Sequence, residues 1–248
     1  MASAETQSGT KPETSRAALI GCWLGLLGVL VLLAAGPGYK SHLWNLKIGL
    51  LVMIPAALFL GLAAIVLSLV GIFRSQSKSR GLLGLVLGLI AAGLPASNIN
   101  AAAHAPIHDV STDTTNPPQY VAVMPARNSV QDGNSTVYDD KTAKTQREVY
   151  PDITPVNLDL PPAQAFDRAL ATARSFGWDI VASGPAQGRI EATATTFWFG
   201  FKDDVVIRIT PQGSGSRVDV RSLSRIGQSD VGVNAKRIRA YVSKLKAA

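Results

Sequence analysis

The sequence predicts a membrane-anchored α+β protein: three N-terminal transmembrane helices, then a soluble domain whose four-stranded, mainly antiparallel sheet is packed by two helices. Three observations predict it. Residues 17–96 contain three long apolar runs and only five charged side chains, Lys40, Lys47, Arg74, Lys78 and Arg80, none of them acidic. Residues 161–248 alternate apolar and polar positions in four short blocks flanked by two helical stripes. The whole chain is only 17% charged, against about 25% in an ordinary soluble domain. That dilution excludes a typical cytosolic globule and a disordered chain.

Residues 1–16 read as a cytoplasmic tail and 17–96 as the membrane region. Ala17–Ala35 is an uncharged run of 19 residues, Ile48–Phe73 one of 26 with Pro55 inside it, and Gly81–Ala96 one of 16. A helix needs about 20 residues to cross the hydrocarbon core, so the first fits, the second is long enough to tilt or kink, and the third is short. Pro95 and the Asn residues beyond it make a poor helical extension; a re-entrant segment is the rival reading there. A cleaved signal peptide is the rival for the first run, although Ala34–Ala35 lacks a clean small-x-small site.

Orientation follows the basic residues of the short loops. Lys11, Arg16, Arg74, Lys78 and Arg80 fall on one side, Lys40 and Lys47 on the other. The five-residue side is expected in the cytoplasm, which places the C-terminal part outside it; in a two-membrane bacterium that is the periplasmic face of the inner membrane. Gly21/Gly25 and Gly84/Gly88, with Ala92 four further on, are spaced for close helix approach. Packing among the three spans is the preferred reading, and a helix–helix partner is the alternative. The spans carry no ionisable side chain besides the lone Cys22, which argues against transport by these helices alone.

Residues 97–160 are rich in Asn, Pro, Thr, Asp and Ser. A structureless connection of that length is uncommon, so the segment is expected to wrap the domain as extended chain. Ile107, Val110, Tyr120, Val121, Val123, Tyr150, Ile153 and Val156 are its anchors. The α+β core is expected over 161–248. Pro161-Pro162 opens a helix with Phe166, Leu170 and Ala173 on one stripe, ended by Gly177. Strands are expected at Trp178–Ala182, Arg189–Phe199, Asp204–Thr210 and Arg217–Leu223, joined by short turns that imply antiparallel hairpins. Ser229 or Asp230 caps a last helix carrying Ile238, Tyr241, Val242 and Leu245.

One sheet face would be apolar, through Ile190, Val205, Ile207, Ile209, Val218 and Val220. The other would carry Glu191, Phe197, Phe199, Val206, Arg208, Asp219, Arg221 and Leu223. Pairing Thr210 with Arg217 sets Arg208 opposite Asp219 and Val206 opposite Arg221. This mixed face is open to three readings: a partly solvated surface with a cross-strand ion pair, a groove with an aromatic end beside Arg221, or a face covered by the wrapping segment.

Two stretches carry a family resemblance. They are Ile107–Pro118 (IHDVSTDTTNPP) followed by Tyr150–Pro155 (YPDITP), and Arg221–Arg239 (RSLSRIGQSDVGVNAKRIR), with Gly188–Thr193 between them. Together they resemble the DUF1499 family, a domain of unknown function often preceded by apolar segments. The resemblance covers about residues 105–246 and singles out Asp109, Thr112, Asp113, Asn116, Pro117, Pro118, Arg221, Ser224, Arg225, Gly227, Ser229, Asp230, Gly232, Asn234 and Arg237. It names no activity. As candidate binding residues we take Asp109, Asp113, Arg221, Arg225, Asp230, Asn234 and Arg237. In the structural reading, Arg221, Arg225 and Arg237 clamp the carboxylates of Asp109 and Asp113. In the functional one, Arg225 beside a helix N-terminus holds a phosphate or carboxylate, such as a lipid headgroup.

Catalytic signals are weak. No GxSxG elbow and no phosphate-cradling loop ending in Lys-Ser/Thr is present. His104 and His108, split by Pro106, join Asp109 and Asp113 as the sole metal candidates, and Asp203-Asp204, a carboxylate pair at a strand start, reads as a turn and not as an acid/base couple. The net charge of +7 divides into +5 over residues 1–96 and +2 over 97–248, so it reflects loops flanking membrane segments and not a nucleic-acid surface. The expected function is a non-enzymatic envelope module that binds an anionic or lipid-like ligand, with the lipid bilayer as partner, no nucleic acid and no cofactor. The alternative is an envelope hydrolase or transferase using Asp109, Asp113 and His108.

Overall fold

The computed structural model describes residues 15–74, 78–104 and 106–247. Most of the expected tail, Lys11 included, and the His104 side chain lie outside the described residues. The chain divides into two compact units, Met1–Asn98 and Ile99–Ala248.

The first unit consists of α1 (Arg16–Lys40), α2 (Ile54–Arg74) and most of α3 (Ser79–His104). A π-helical turn at Ile48–Met53 leads directly into α2. It lies just before Pro55, where the missing N–H interrupts the regular ladder. All three helices are long and apolar enough to cross a membrane. The third is longer than the apolar run alone implied, continuing through Pro95 for nine further residues. Ser97 Oγ and Asn98 Nδ2 donate to the Leu94 carbonyl at 2.8 and 3.0 Å, so polar residues that looked like breakers bond back into their own helix. Small residues form the contacts within the unit. A Cβ on Gly25 would stand 2.8 Å from Leu87 Cβ, one on Gly84 2.7 Å from the Cys22 nitrogen, and one on Gly88 2.8 Å from the Gly61 carbonyl oxygen. Both glycine pairs therefore face neighbouring helices of the same chain.

The second unit contains β1 (Asp109–Ser111), α4 (Met124–Asn128), α5 (Asp140–Val149), β2 (Val156–Leu158), α6 (Pro162–Ser175), β3 (Asp179–Gly184), β4 (Arg189–Thr195), β5 (Lys202–Gln212), β6 (Gly215–Ser224) and α7 (Val233–Ala247). The sheet has six strands, not the expected four, in the order β1-β6-β5-β4-β3, with β2 also on β6. Every pairing is antiparallel. The two extra strands come from the segment read as wrapping chain. Asp109–Ser111 pairs with Leu223–Arg221 and Val156–Leu158 with Val218–Ser216, so two three-residue pieces share one edge of β6. Pieces that short show no period-2 alternation. The same segment also forms α4 and α5; Asp139 caps α5 by accepting from the Thr142 N–H at 2.7 Å.

One face of the sheet is the core. Ile190, Ala192, Val205, Ile207, Ile209, Val218 and Val220 form a single apolar cluster with Phe166, Ala169 and Ala173 of α6 and with Ile238, Tyr241 and Leu245 of α7. Each large side chain of this kind contributes about 1.5–3 kcal/mol by leaving water. Helix α6 starts on the two prolines and stops at Gly177, whose φ of +69° lets its N–H reach the Arg174 carbonyl. Trp178 lies outside the strands and stacks on Tyr241 at 5.3 Å between ring centroids.

The opposite face is covered by residues from the 112–137 segment: Tyr120, Val123 and Met124 pack with Val206 and Leu223. Strand β4 ends at Thr195 and not at Phe199 as expected, because Thr196 closes a tight loop. Its Oγ1 accepts from the Phe201 N–H and its carbonyl from the Gly200 N–H, with Gly200 at φ +71°. Phe197 and Phe199 consequently sit in the β4–β5 loop and not on the sheet.

Candidate functional site

The mixed sheet face places a charged residue at alternate positions, and each of these charges has a partner. Arg221, fully buried on β6, donates from Nε and Nη2 to the two carboxylate oxygens of Asp109 at 3.0 and 2.7 Å. It also donates to the carbonyls of Pro118 (3.1 Å) and Thr136 (2.7 Å), between the rings of Tyr120 and Tyr138. Burial pushes the Asp109 carboxyl up, against the pull of Arg221. Burial likewise raises the Tyr120 and Tyr138 hydroxyls. Glu191, also fully buried, accepts from the backbone N–H groups of Val121 and Val123 at 3.0 and 3.1 Å. The covering segment is thus held by a guanidinium gripping its carboxylate and carbonyls and by a carboxylate gripping its amides.

Asp113 sits at the start of a turn, where Oδ1 accepts from the N–H groups of Thr115 and Asn116. Its Oδ2 accepts from Arg208 (3.0 Å) and Arg217 (2.8 Å), and both arginines also hold Asp219. Burial opposes the charge, but the two turn amides and then Arg217 and Arg208 hold the carboxyl below the usual range. The Arg208–Asp219 register read from the sequence is present.

The remaining arginines do not reach Asp109 or Asp113. Arg225 donates from Nε and Nη2 to both oxygens of Asp204, at 2.9 and 2.8 Å. Arg127 reaches the same carboxylate at 2.7 Å, and Thr193 Oγ1 donates to it at 2.8 Å. Arg237 pairs with Asp203 at 2.6 Å and donates to Ser222 Oγ and Asn234 Oδ1. Asn234 Nδ2 donates to the His108 carbonyl, tying α7 to the residue before β1. Asp230 accepts from the N–H groups of Gly232 and Asn234; burial raises its carboxyl despite these bonds. Of the clamp expected around Asp109 and Asp113, the Arg221–Asp109 pair is present; Arg225 and Arg237 hold Asp204 and Asp203 instead, and Asp113 is held by Arg208 and Arg217. Asp203-Asp204, expected at a strand start and read as a turn, are the second and third residues of β5, which begins two residues before the expected Asp204, and both are buried.

Two functional arrangements weighed from the sequence are occupied by these contacts. The groove beside Arg221 is filled by Tyr120 and its neighbours. Of the hydrolase trio, Asp109 is on Arg221, Asp113 on two arginines, and His108 Nδ1 lies 3.1 Å from the Gln228 carbonyl oxygen. No three His, Cys, Asp or Glu side chains cluster as a metal site among the described residues.

A depression on this unit lies elsewhere. A cavity of about 550 Å³ is lined by the Thr112–Asn116 turn, by Gln146 and Arg147 of α5, by Tyr150–Pro151 and Ile153–Pro155, and by Arg217. Its floor is fixed. Gln146 accepts from the Ser111 N–H at 2.8 Å and donates to the Ser111 carbonyl at 2.7 Å, satisfying the free edge of β1 as a further strand would. Arg147 is exposed, and its one hydrogen bond among the described residues is a long 3.3 Å contact to Thr114 Oγ1. The groove thus joins an exposed guanidinium to an apolar wall of Tyr150, Ile153 and prolines. Of the candidate binding residues, Asp113 alone lines it. Arg147 and Gln146 were missed because nothing in a polar helix marks the side that faces β1; the Asp139 cap three residues before Thr142 was the available signal for the helix itself.

A family model described as "Protein of unknown function (DUF1499)" matches residues 109–245. No curated protein matches the chain.

Proposed function

The chain belongs to the DUF1499 family, and from that premise we propose that it is a membrane-anchored, non-catalytic binding module, displayed on the extracytoplasmic side of a bacterial cytoplasmic membrane. Three helices of membrane-crossing length support the anchor. The five-to-two distribution of basic residues around them supports the sidedness, and hence a periplasmic, cell-envelope setting. The ligand is a small anionic or lipid-like molecule taken in the groove at Arg147.

The observation that carries the binding role is the groove itself: exposed Arg147 at one wall, the paired Arg217 and Asp113 at another and apolar side chains between. Concave sites with an apolar lining and few placed polar groups are the usual form of small-molecule sites, and a guanidinium suits carboxylate or phosphate. By contrast, Arg217 holds Asp113 and Asp219, and Arg221, Arg225 and Arg237 each hold an aspartate, so Arg147 is the guanidinium offered to a ligand. The test is mass spectrometry of the full-length protein extracted in lipid nanodiscs, wild type beside Arg147→Glu. The reading expects an anionic species retained by the wild type and depleted in the variant. Equal retention by both, or none by either, overturns it.

A further inference from the structure

The β4–β5 connection, residues 196–201, reads Thr-Phe-Trp-Phe-Gly-Phe. Phe197 is 95% exposed, more than any other large apolar side chain among the described residues. The loop is not loose. Thr196 and Phe201 exchange backbone and side-chain hydrogen bonds at its base, both at 2.8 Å, and Phe199 stacks on Phe201 at 5.0 Å with rings 5° from parallel. Trp198 lies 5.9 Å from Phe199. The loop has no acidic residue, exposed Lys202 follows it, and the next two carboxylates, Asp203 and Asp204, are buried against arginines.

The sheet register fixes which end of the domain bears this tip. The His108 carbonyl accepts from Ser224; Ser224 is opposite Asp203, and Asp203 is opposite Ala194. The point where the chain enters β1 and the base of the aromatic loop thus lie at one end of the sheet, and the β5–β6 turn at 213–214 at the other. From β1 to β4 is three strand spacings, about 14 Å. Residues 105–108 lie between α3 and β1 in sequence, and Ile107 and His108 are already bound into the domain through their carbonyls.

We propose that this loop is a second bilayer contact: Phe197 and Trp198 enter the lipid–water interface while Lys202 meets the phosphate headgroups, fixing how the domain stands over the membrane. Phe and Trp beside a Lys suit that zone, where amphipathic rings and snorkelling amines are accommodated. The absence of acidic residues removes repulsion from anionic lipid. The loop base shares its end of the sheet with the point where the chain arrives from α3, which is the reason the bilayer is taken as its partner. The inference rests on the reading of α1–α3 as membrane-inserted, and its test separates the two.

Cys22 is the only cysteine, so a Cys22→Ser background accepts single spin labels in the full-length chain. Labels go at Phe197→Cys, at Ser214→Cys on the far turn, and at Leu30→Cys on the exposed apolar side of α1, in phosphatidylethanolamine–phosphatidylglycerol vesicles. Collision rates with oxygen and with a water-soluble nickel chelate report depth. The expected result is a several-fold higher oxygen-to-nickel ratio at 197 than at 214, with 30 higher still. If 30 reads as lipid while 197 matches 214, the loop proposal is overturned and the anchor stands. If 30 itself reads as water, the anchor fails and the proposal with it. Shielding of 197 from both reagents marks a protein contact and also overturns the proposal.

Discussion

Arg221 closes on Asp109 across 112 residues of sequence, with both fork nitrogens on both carboxylate oxygens and no exposure of the guanidinium. The pair joins the centre of the sheet to the first strand after the apolar helices. Arg221 also holds the carbonyls of Pro118 and Thr136, at either end of the covering segment.

Removing one partner leaves an uncompensated buried charge, which costs about 3–5 kcal/mol. Arg221→Ala and Asp109→Ala are each expected to lose that much in denaturant melts. Their double variant should lose much less than the sum, because the second deletion removes the charge that the first left stranded. Additive losses would contradict the pairing.

Asp204 is held by two arginines and one hydroxyl. Asp204→Ala strands Arg127, which is 5% exposed, and should cost about 3–5 kcal/mol. Arg225→Ala leaves Asp204 with Arg127 and Thr193 and should cost about 1.5–3 kcal/mol. In double-variant melts Arg225→Ala should couple to Asp204→Ala and add to Asp113→Ala within about 0.5 kcal/mol. The reverse pattern would contradict the assignment.

Asp113 sets a pH dependence. Its carboxyl is held below the ordinary 3.8, so above 3.8 the folded state benefits fully from its charge. As pH falls from 3.8 through the lowered value, the unfolded chain takes the proton first and that stability is lost. Asp113→Asn is expected to be less stable than the wild type at neutral pH by about 1.5–3 kcal/mol. The gap should narrow below pH 3.8 in acid-side melts; a gap independent of pH would contradict the ion cluster.

The parts of the fold that were legible are those with a repeat long enough to read. Val205, Ile207 and Ile209 facing Val218 and Val220 declare two strands and their common face, and the Arg208–Asp219 pairing follows from that register. Asp109–Ser111 and Val156–Leu158 are three residues each and declare nothing; only β6 makes them strands. Asp204 was within reach: carrying the β5 alternation back from Val206 puts it on the Arg221 face. Arg127 was not, because it lies in a five-residue helix whose packing is decided by Asp204, 77 positions away. The groove is equally tertiary, since Asp113, Arg147, Ile153 and Arg217 meet only once β1, α5 and β6 are assembled.

The central claim is that the domain of residues 109–245 stands outside the cytoplasm on its own membrane anchor. Paired fusions after residue 248 test it most directly, one to a phosphatase that folds only outside the cytoplasm and one to a fluorescent protein that matures only inside. An active phosphatase with a dark fluorescent fusion is the predicted result. An inactive phosphatase with a bright fluorescent fusion would contradict the orientation and the envelope role together.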